Sequence, residues 1–406
     1  MYTITVCGGG NAAHVLLGLL GAKSDISVRL FDTLPDEVGQ FQGSGGSKKV
    51  IDVVFKDGRD KIQGIVDQAS ASAEDVIPGS DMIILAVPAF AHQLYFEQIV
   101  KHAKPDCIVG VMVAKGGVDW QFKDIFQNQL DRTEFFAMEN LPWACRIQEY
   151  GRSVEVLSTK LALEIAVLSD EPQRVIDKVT ELISIENLDD PSFPMPNFTM
   201  APNFISCSLR GNLGHACIMY GRFHNWDGKT PFEEIPLFYE GVDEFAAKAL
   251  EQASEESMAI KKALTEQLGI DLNSVIPAKD WLIRVYGDEI SDQSTLQSCI
   301  KTNKGYEGLK HAMVEVEGGF FPSKNSRYLT EDLPFGILVV RGIAEIMEVP
   351  TPMLDRVIEW NQTFMGKEYL VDGKLAGKDV SETRAPQSFG ITSPSELVGE
   401  VATNAQ

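Results

Sequence analysis

The stretch GHACIMYGRFHNWDG, residues 214 to 228, places an imidazole, His215, one residue into an otherwise apolar run that closes on a turn. An imidazole titrates near neutrality, so it can take up and release a proton in a reaction run at pH 7. If residues 212 to 223 are helical, His215, Met219 and Arg222 share one face, while Gly214, Ala216 and Gly221 leave clearance beside it. The competing reading is a packed structural histidine. The other five offer less: His14, His92 and His102 fall in the first half, and His224 and His311 in loop-like settings. A histidine acid gains from a carboxylate that sets its tautomer, but spacing alone cannot name that partner. The stretch NSRYLTEDLPFG offers Arg327 and Asp332 in a polar loop before a helix that starts near Pro334. The alternative for these two is a surface ion pair and an N-terminal cap.

A second chemistry is written at the N-terminus. VCGGGNAAH follows an apolar run and opens a helix, giving Gly8, Gly10 and Ala13 as G-x-G-x-x-A. The first glycine permits a tight turn, the second lets backbone approach a pyrophosphate, and the small third residue allows close helix packing. The helix N-terminus then faces the phosphates. Asp32, at the end of ISVRLFD and 22 residues past Gly10, can accept hydrogen bonds from a ribose 2′-hydroxyl and repel a 2′-phosphate, which favours NAD(H) over NADP(H). The expected cofactor residues are Gly8, Gly9, Gly10, Asn11, Ala12 and Asp32, with Val87 and Pro88 at the carboxyl edge of a further buried strand.

These residues need a scaffold. In the first 147 residues short apolar runs alternate with helix-like stretches, the pattern of βαβ units around a parallel sheet. Strands are expected over residues 3–7, 26–31, 82–87, 108–113 and 135–138, with a hairpin insertion around Asp57-Gly58. A helix over 172–184 precedes DDPSFPMPNFTMAP, where Pro191, Pro194, Pro196 and Pro202 forbid regular structure. A domain boundary is placed there, giving a dinucleotide-binding domain over 1–200 and a second domain over 201–406. The second half is read as mostly helical: Leu237, Val242, Phe245, Ala249 and Ala253 fit one helix face, and further helices are expected over 280–286, 335–347 and 353–365. The tail from Gly377 reads as loop-like, with mobile last residues. The fold class is thus α/β, an N-terminal Rossmann domain plus a mostly α-helical substrate domain.

Composition excludes several classes. A net charge of −22 opposes nucleic-acid binding, and no apolar stretch approaches the 18 residues of a membrane span. The six scattered cysteines lack a CxxC pair, so neither a disulfide framework nor a metal site is expected. The start MYTITVC lacks a secretory signal, which makes the cytoplasm the expected location. Anionic ligands would bind only where local cations override the acidic background.

The chain resembles the opine dehydrogenases of marine invertebrates, carried by VCGGGNAAH, ILAVPAFAH, LPWACRI with EVLSTK, NWDGK with PLFYEGVD, TNKGYEGL, RYLTEDLPFG and GKEYLVDGKLAGKDV. The resemblance implies an NADH-binding Rossmann domain and a helical substrate domain that condense pyruvate with an amino acid and reduce the imine, regenerating NAD⁺ during anaerobic glycolysis. It implies that His215 carries the proton, that Asp332 is its carboxylate, and that Arg327 clamps the pyruvate carboxylate. It maps the amine partner to VAKGG with Lys115, to Glu139 and Asn140, and to Trp281. Lys115 stands where a neutral amide is expected and Asn140 where a threonine is expected. An ammonium there favours taurine, alanine or glycine over arginine, unless Lys115 points to solvent. The partners expected are these small molecules, in a monomer or small oligomer. Two alternatives stand beside this reading: a 2-hydroxyacid or glycerol-phosphate type of dehydrogenase, although no lysine cluster surrounds His215, and a non-catalytic NAD-sensing protein.

Overall fold

The structure, a computed structural model, describes residues 1–43, 48–184, 196–210 and 213–399. The chain folds as two compact units: residues 1–114 with 122–201, and residues 115–121 with 202–406.

In the first unit, buried apolar runs such as Met82–Leu85 and Cys107–Val111 are covered on both faces, as parallel strands require. Its strands are β1 (Tyr2–Cys7), β2 (Ile26–Phe31), β3 (Lys49–Phe55), β4 (Ile62–Val66), β5 (Gln68–Ser70) and β6 (Met82–Leu85). They continue with β7 (Cys107–Val111), β8 (Thr133–Met138), β9 (Trp143–Glu149), β10 (Ser153–Thr159), β11 (Ala162–Leu168) and β12 (Asn197–Met200). The main sheet runs β12-β11-β8-β7-β6-β1-β2-β5, and its stretch from β5 to β8 is all parallel. That stretch has the strand order of a doubly wound nucleotide-binding fold, whose order reverses between β1 and β6. Ligands of such sheets bind at the carboxyl ends of the strands flanking that point, where Gly8 and Val87 lie. All five expected strands are present, with ends shifted by up to two residues.

The hairpin around Gly58, whose φ is +81°, is β3-β4. It is more than an insertion, because it joins β9 and β10 in a second, four-stranded sheet that the sequence reading did not foresee. The proline-rich stretch also needs correction. Asn197–Met200 forms β12 at the edge of the main sheet, with Pro196 and Pro202 just outside the paired residues, so no ladder bond is lost. Pro191 and Pro194 lie outside the described residues.

The second unit is mostly helical. His215 lies on the helix Gly214–Phe223, which packs on the long helix Glu244–Leu268. The expected helix face from Leu237 is corrected at its start. Asp243 caps the long helix through its side chain, accepting from the Ala246 N–H at 2.8 Å, so Leu237 and Val242 precede it and Phe245 stays exposed. Gly221 does not leave room for a ligand either: a Cβ there would strike Ala246 of the long helix. The helix expected over 335–347 is divided into a π-helical turn, Leu333–Ile337, and an α-helix, Leu338–Ile346. The tail is better ordered than expected, since Arg384 and Ala385 are fully buried and Pro394–Val398 is helical; residues 400–406 lie outside the described residues. His311, expected in a loop-like setting, sits in irregular backbone but is buried among Phe223 and Phe238, and burial pushes its pKa down to about 3.

All six cysteines are buried and free. Among the described residues no helix is long and apolar enough to cross a membrane, and no cluster of potential metal ligands occurs.

Candidate functional site

The glycine turn follows β1 directly. Gly8 has φ +98°, a conformation that side chains other than hydrogen rarely adopt, and a Cβ on it would strike Val87 Cγ1. Gly9 is equally crowded, against the Tyr150 hydroxyl, whereas the space beside Gly10 is open to within 3.9 Å. Gly10 is the N-cap of the helix Asn11–Gly21 and has no side chain to occupy that helix end. Ala12 and Ala13 are buried in that first turn, and the Asn11 amide oxygen accepts from the Ile147 N–H at 2.8 Å. Asp32 is buried at the end of β2, its Oδ1 accepting from the Leu34 N–H at 3.0 Å, and burial raises its pKa above the ordinary value. Pro88 leads into a short 3-10 turn, and the Val87 carbonyl lies 3.3 Å from His92 Nε2. An exposed helix end, a glycine open to close approach and a carboxylate one strand away fit a dinucleotide.

Two residues here escaped the sequence reading. Tyr150, from the β9-β10 turn, donates its hydroxyl to Glu37 Oε2 at 2.5 Å, beside Gly9 and Asp32. A tyrosine more than a hundred residues beyond a glycine turn carries no local signal. Replacing Asp32 by alanine should lower the preference for NADH over NADPH by about tenfold, the worth of one charged hydrogen bond. Dissociation constants for both nucleotides check this, and an unaltered ratio removes the ribose assignment.

The second unit gathers His215, Asp332, Lys115 and Arg327. His215 Nδ1 lies 2.7 Å from Asp332 Oδ2, and Lys115 Nζ donates to the other carboxylate oxygen, Oδ1. An ionised carboxylate only accepts, so Nδ1 carries the proton and Nε2 is the nitrogen left to exchange one. Nε2 lies 2.8 Å from the Tyr239 hydroxyl. The Tyr328 ring lies over the imidazole at 4.2 Å between centroids, and Phe238 meets it edge-on at 5.6 Å. The Asp332 side chain is 6% exposed and that of His215 30%, so the carboxylate is sealed while the imidazole stays accessible. Burial works to raise the Asp332 pKa, but Lys115 and His215 overcome it and hold the carboxyl well below its usual range. Burial likewise opposes the charge of Lys115, yet the Asp332 carboxylate keeps its pKa above the ordinary lysine value.

Local sequence explains this convergence. Pro334 has no N–H, and Ile337 donates five residues back to the Asp332 carbonyl at 3.0 Å, the signature of a π-helical turn. Asp332 occupies the N-cap position expected of it but makes no capping bond. Its carboxylate is committed to His215 and Lys115 instead. Lys115 neither points to solvent nor stands apart as a cation for a substrate. Arg327 forks onto Glu331 Oε2 at 2.7 and 3.0 Å with a side chain 65% exposed, so it is open to an incoming carboxylate.

Trp281 lies on the helix Ala278–Tyr286 and connects to the site through a file of rings: Tyr286 at 6.5 Å, Tyr306 at 5.2 Å from Tyr286, and Tyr239 stacked on Tyr306 at 3.9 Å. Glu139 and Asn140 belong to the first unit, beyond β8. Glu139 Oε2 accepts from the Glu164 N–H at 3.0 Å, and the Asn140 amide oxygen accepts from Leu141 N–H at 2.8 Å. Tyr239 and Tyr328, which the sequence reading missed, lie 24 and 113 residues from His215 and share no periodicity with it.

A family model described as "NAD/NADP octopine/nopaline dehydrogenase, alpha-helical domain" matches residues 200–365. The chain is 38% identical over 397 residues to the tauropine dehydrogenase of Arabella iricolor, covering 96% of this chain and 98% of that one. It is 36% identical over 392 residues to the octopine dehydrogenase of Mizuhopecten yessoensis, covering 96% of each. A solved octopine dehydrogenase with NADH and L-arginine is similar with a TM-score of 0.87 and 34% identity over 98% of both chains.

Proposed function

Because the chain belongs to the octopine/nopaline dehydrogenase family and is an NAD-dependent oxidoreductase, we propose that it condenses pyruvate with a small amino or aminosulfonic acid, such as taurine, alanine or glycine, and reduces the imine to an opine. The observation that carries this reading is the His215–Asp332 pair, a sealed carboxylate behind an accessible imidazole.

The chemistry needs a proton at the keto oxygen so that water can leave as the amine adds. Protonated on Nε2, His215 supplies that proton, and the Asp332 carboxylate stabilises the imidazolium. The Tyr239 hydroxyl stands at Nε2, where a substrate oxygen must come. Arg327 presents a planar fork that matches the pyruvate carboxylate and orients the keto carbon. When bound, NADH supplies the hydride to the imine carbon. Gly8 to Ala12 hold its pyrophosphate and Asp32 its adenosine ribose.

Charge supports the preference for a small acid. With His215 protonated, the cluster holds three cations, His215, Lys115 and Arg327, against two carboxylates, Asp332 and Glu331. Before the pyruvate carboxylate takes it up, this single surplus charge opposes the entry of a guanidinium side chain.

The test is NADH oxidation with pyruvate across a panel of taurine, glycine, alanine and arginine. Turnover that requires both keto acid and amine supports the reading. Turnover with pyruvate alone would instead indicate 2-hydroxyacid formation, and none at all an NAD-sensing protein. Arg327→Ala should lower kcat/KM for pyruvate by about 10- to 100-fold, through KM and kcat together, since a charge-assisted fork both binds and positions. A change confined to the amine KM would contradict the clamp.

A further inference from the structure

We propose that Lys115 is a positioning residue of the proton-donating pair: it grips the second oxygen of Asp332 and, by sharing that carboxylate with His215, makes the imidazolium a readier proton donor. The inference rests on the assignment of His215 as proton donor.

The geometry is of a carboxylate held from both sides. Oδ2 meets His215 Nδ1 and Oδ1 meets the Lys115 ammonium, so neither oxygen is left to swing. A carboxylate anchored by one bond can rotate about its Cβ–Cγ bond; one anchored at both oxygens has its plane set, and the imidazole plane with it. The side chains of Lys115 and Asp332 are 13% and 6% exposed, so water screens the pair little.

The backbone is shaped to deliver this ammonium. Lys115 has φ +46°, a left-handed conformation that a long side chain adopts at a cost. Its neighbours lock the loop: Gly116 N–H donates to the Phe335 carbonyl at 2.7 Å and Gly117 N–H to Ser208 Oγ at 3.1 Å. A Cβ on Gly116 would stand 2.7 Å from Val339, so this loop can lie against the start of the helix Leu338–Ile346 only with glycine there.

The electrostatic consequence follows from counting charges around the imidazole. His215 comes from the helix Gly214–Phe223, Lys115 from its own loop, and Arg327, Tyr328, Glu331 and Asp332 from residues 327–332. Tyr239 and Tyr306 come from the segments facing them, and Arg384 lies over Phe335 at 4.7 Å. Arg327 is balanced by Glu331. The carboxylate that favours imidazolium is therefore already half spent on Lys115. Imidazolium gains less from it than in an unshared pair and releases its proton to a substrate oxygen more readily.

The experiment compares full-length Lys115→Met and Lys115→Arg with the unaltered protein, following kcat for NADH oxidation with pyruvate and amine from about pH 5.5 to about pH 9.5. A reaction that needs imidazolium loses rate as pH rises through its titration. Removing the ammonium in Lys115→Met should carry this alkaline limb up by on the order of one pH unit and lower the plateau by about tenfold. Lys115→Arg, which keeps the positive charge, should keep the limb in place. Should Lys115→Met fail to fold, Lys115→Gln carries the same comparison. A limb unmoved in the uncharged variant overturns the inference, and a tenfold rise in amine KM with that unmoved limb would make Lys115 a reader of the amine instead. If keto acid is reduced without any amine, the opine reading fails, while the limb comparison still decides the role of Lys115.

Discussion

Replacing His215 by alanine is expected to lower turnover by about 10²-fold or more while leaving NADH affinity near that of the unaltered protein. The loss follows from the only role that the two ring nitrogens leave open. Nδ1 is committed to Asp332, so Nε2 alone can exchange a proton with a substrate oxygen, and alanine removes it. Helical structure should survive, because alanine is the strongest helix former and the imidazole is part-exposed between Tyr328 and Phe238 rather than sealed in the core. NADH affinity should survive because the glycine turn and Asp32 belong to the first unit. Steady-state kinetics with a fluorescence titration of NADH checks both halves. Turnover within about threefold of the unaltered value would end the assignment of His215 as proton carrier.

Asp332→Asn is expected to be at least as damaging, with kcat falling about 10²- to 10³-fold and stability falling by about 3 kcal/mol. Asparagine has nearly the same shape but no charge. Its amide can offer an N–H to Nδ1, turning the imidazole to the wrong tautomer, and it cannot stabilise the imidazolium. It also leaves the buried Lys115 ammonium without a counter-ion, which accounts for the loss of stability. The sign of the pH dependence follows from the two directions. Asp332 titrates below its ordinary value, so its contribution is complete above about pH 4 and fades as pH falls through the folded value. Lys115 titrates above its ordinary value, so its contribution is complete below about pH 10 and fades as pH rises. Denaturant unfolding of the two proteins should therefore differ most between these limits and converge in acid. A constant difference down to about pH 2 would show that the pair does not supply the stability.

What could be read locally was legible. The five core strands, the glycine turn and Asp32 lie within short windows, where burial on both sheet faces writes apolar runs, unbroken in Met82–Leu85 and Cys107–Val111, and where a turn that needs φ above zero demands glycine. His215 stood out for a similar reason, as an imidazole in a mostly apolar helix. Errors clustered where one pattern serves two structures. The apolar run from Leu237 looks helical until Asp243 caps the helix six residues later, and a proline-rich stretch still forms an edge strand when its prolines fall outside the ladder.

The sequence by itself determined the fold class, placed the glycine turn and singled out the imidazole of His215, because each depends on residues close together in the chain. Only the tertiary structure decided what surrounds that imidazole. Asp332 lies 117 residues from His215 and Lys115 lies 217 residues from Asp332, so no periodicity relates them. Their meeting depends on a π-helical turn that re-aims one carboxylate and a strained loop that brings an ammonium to its other oxygen. Such geometry exists only once the chain has packed, because both devices use backbone bonds that isolated segments cannot make.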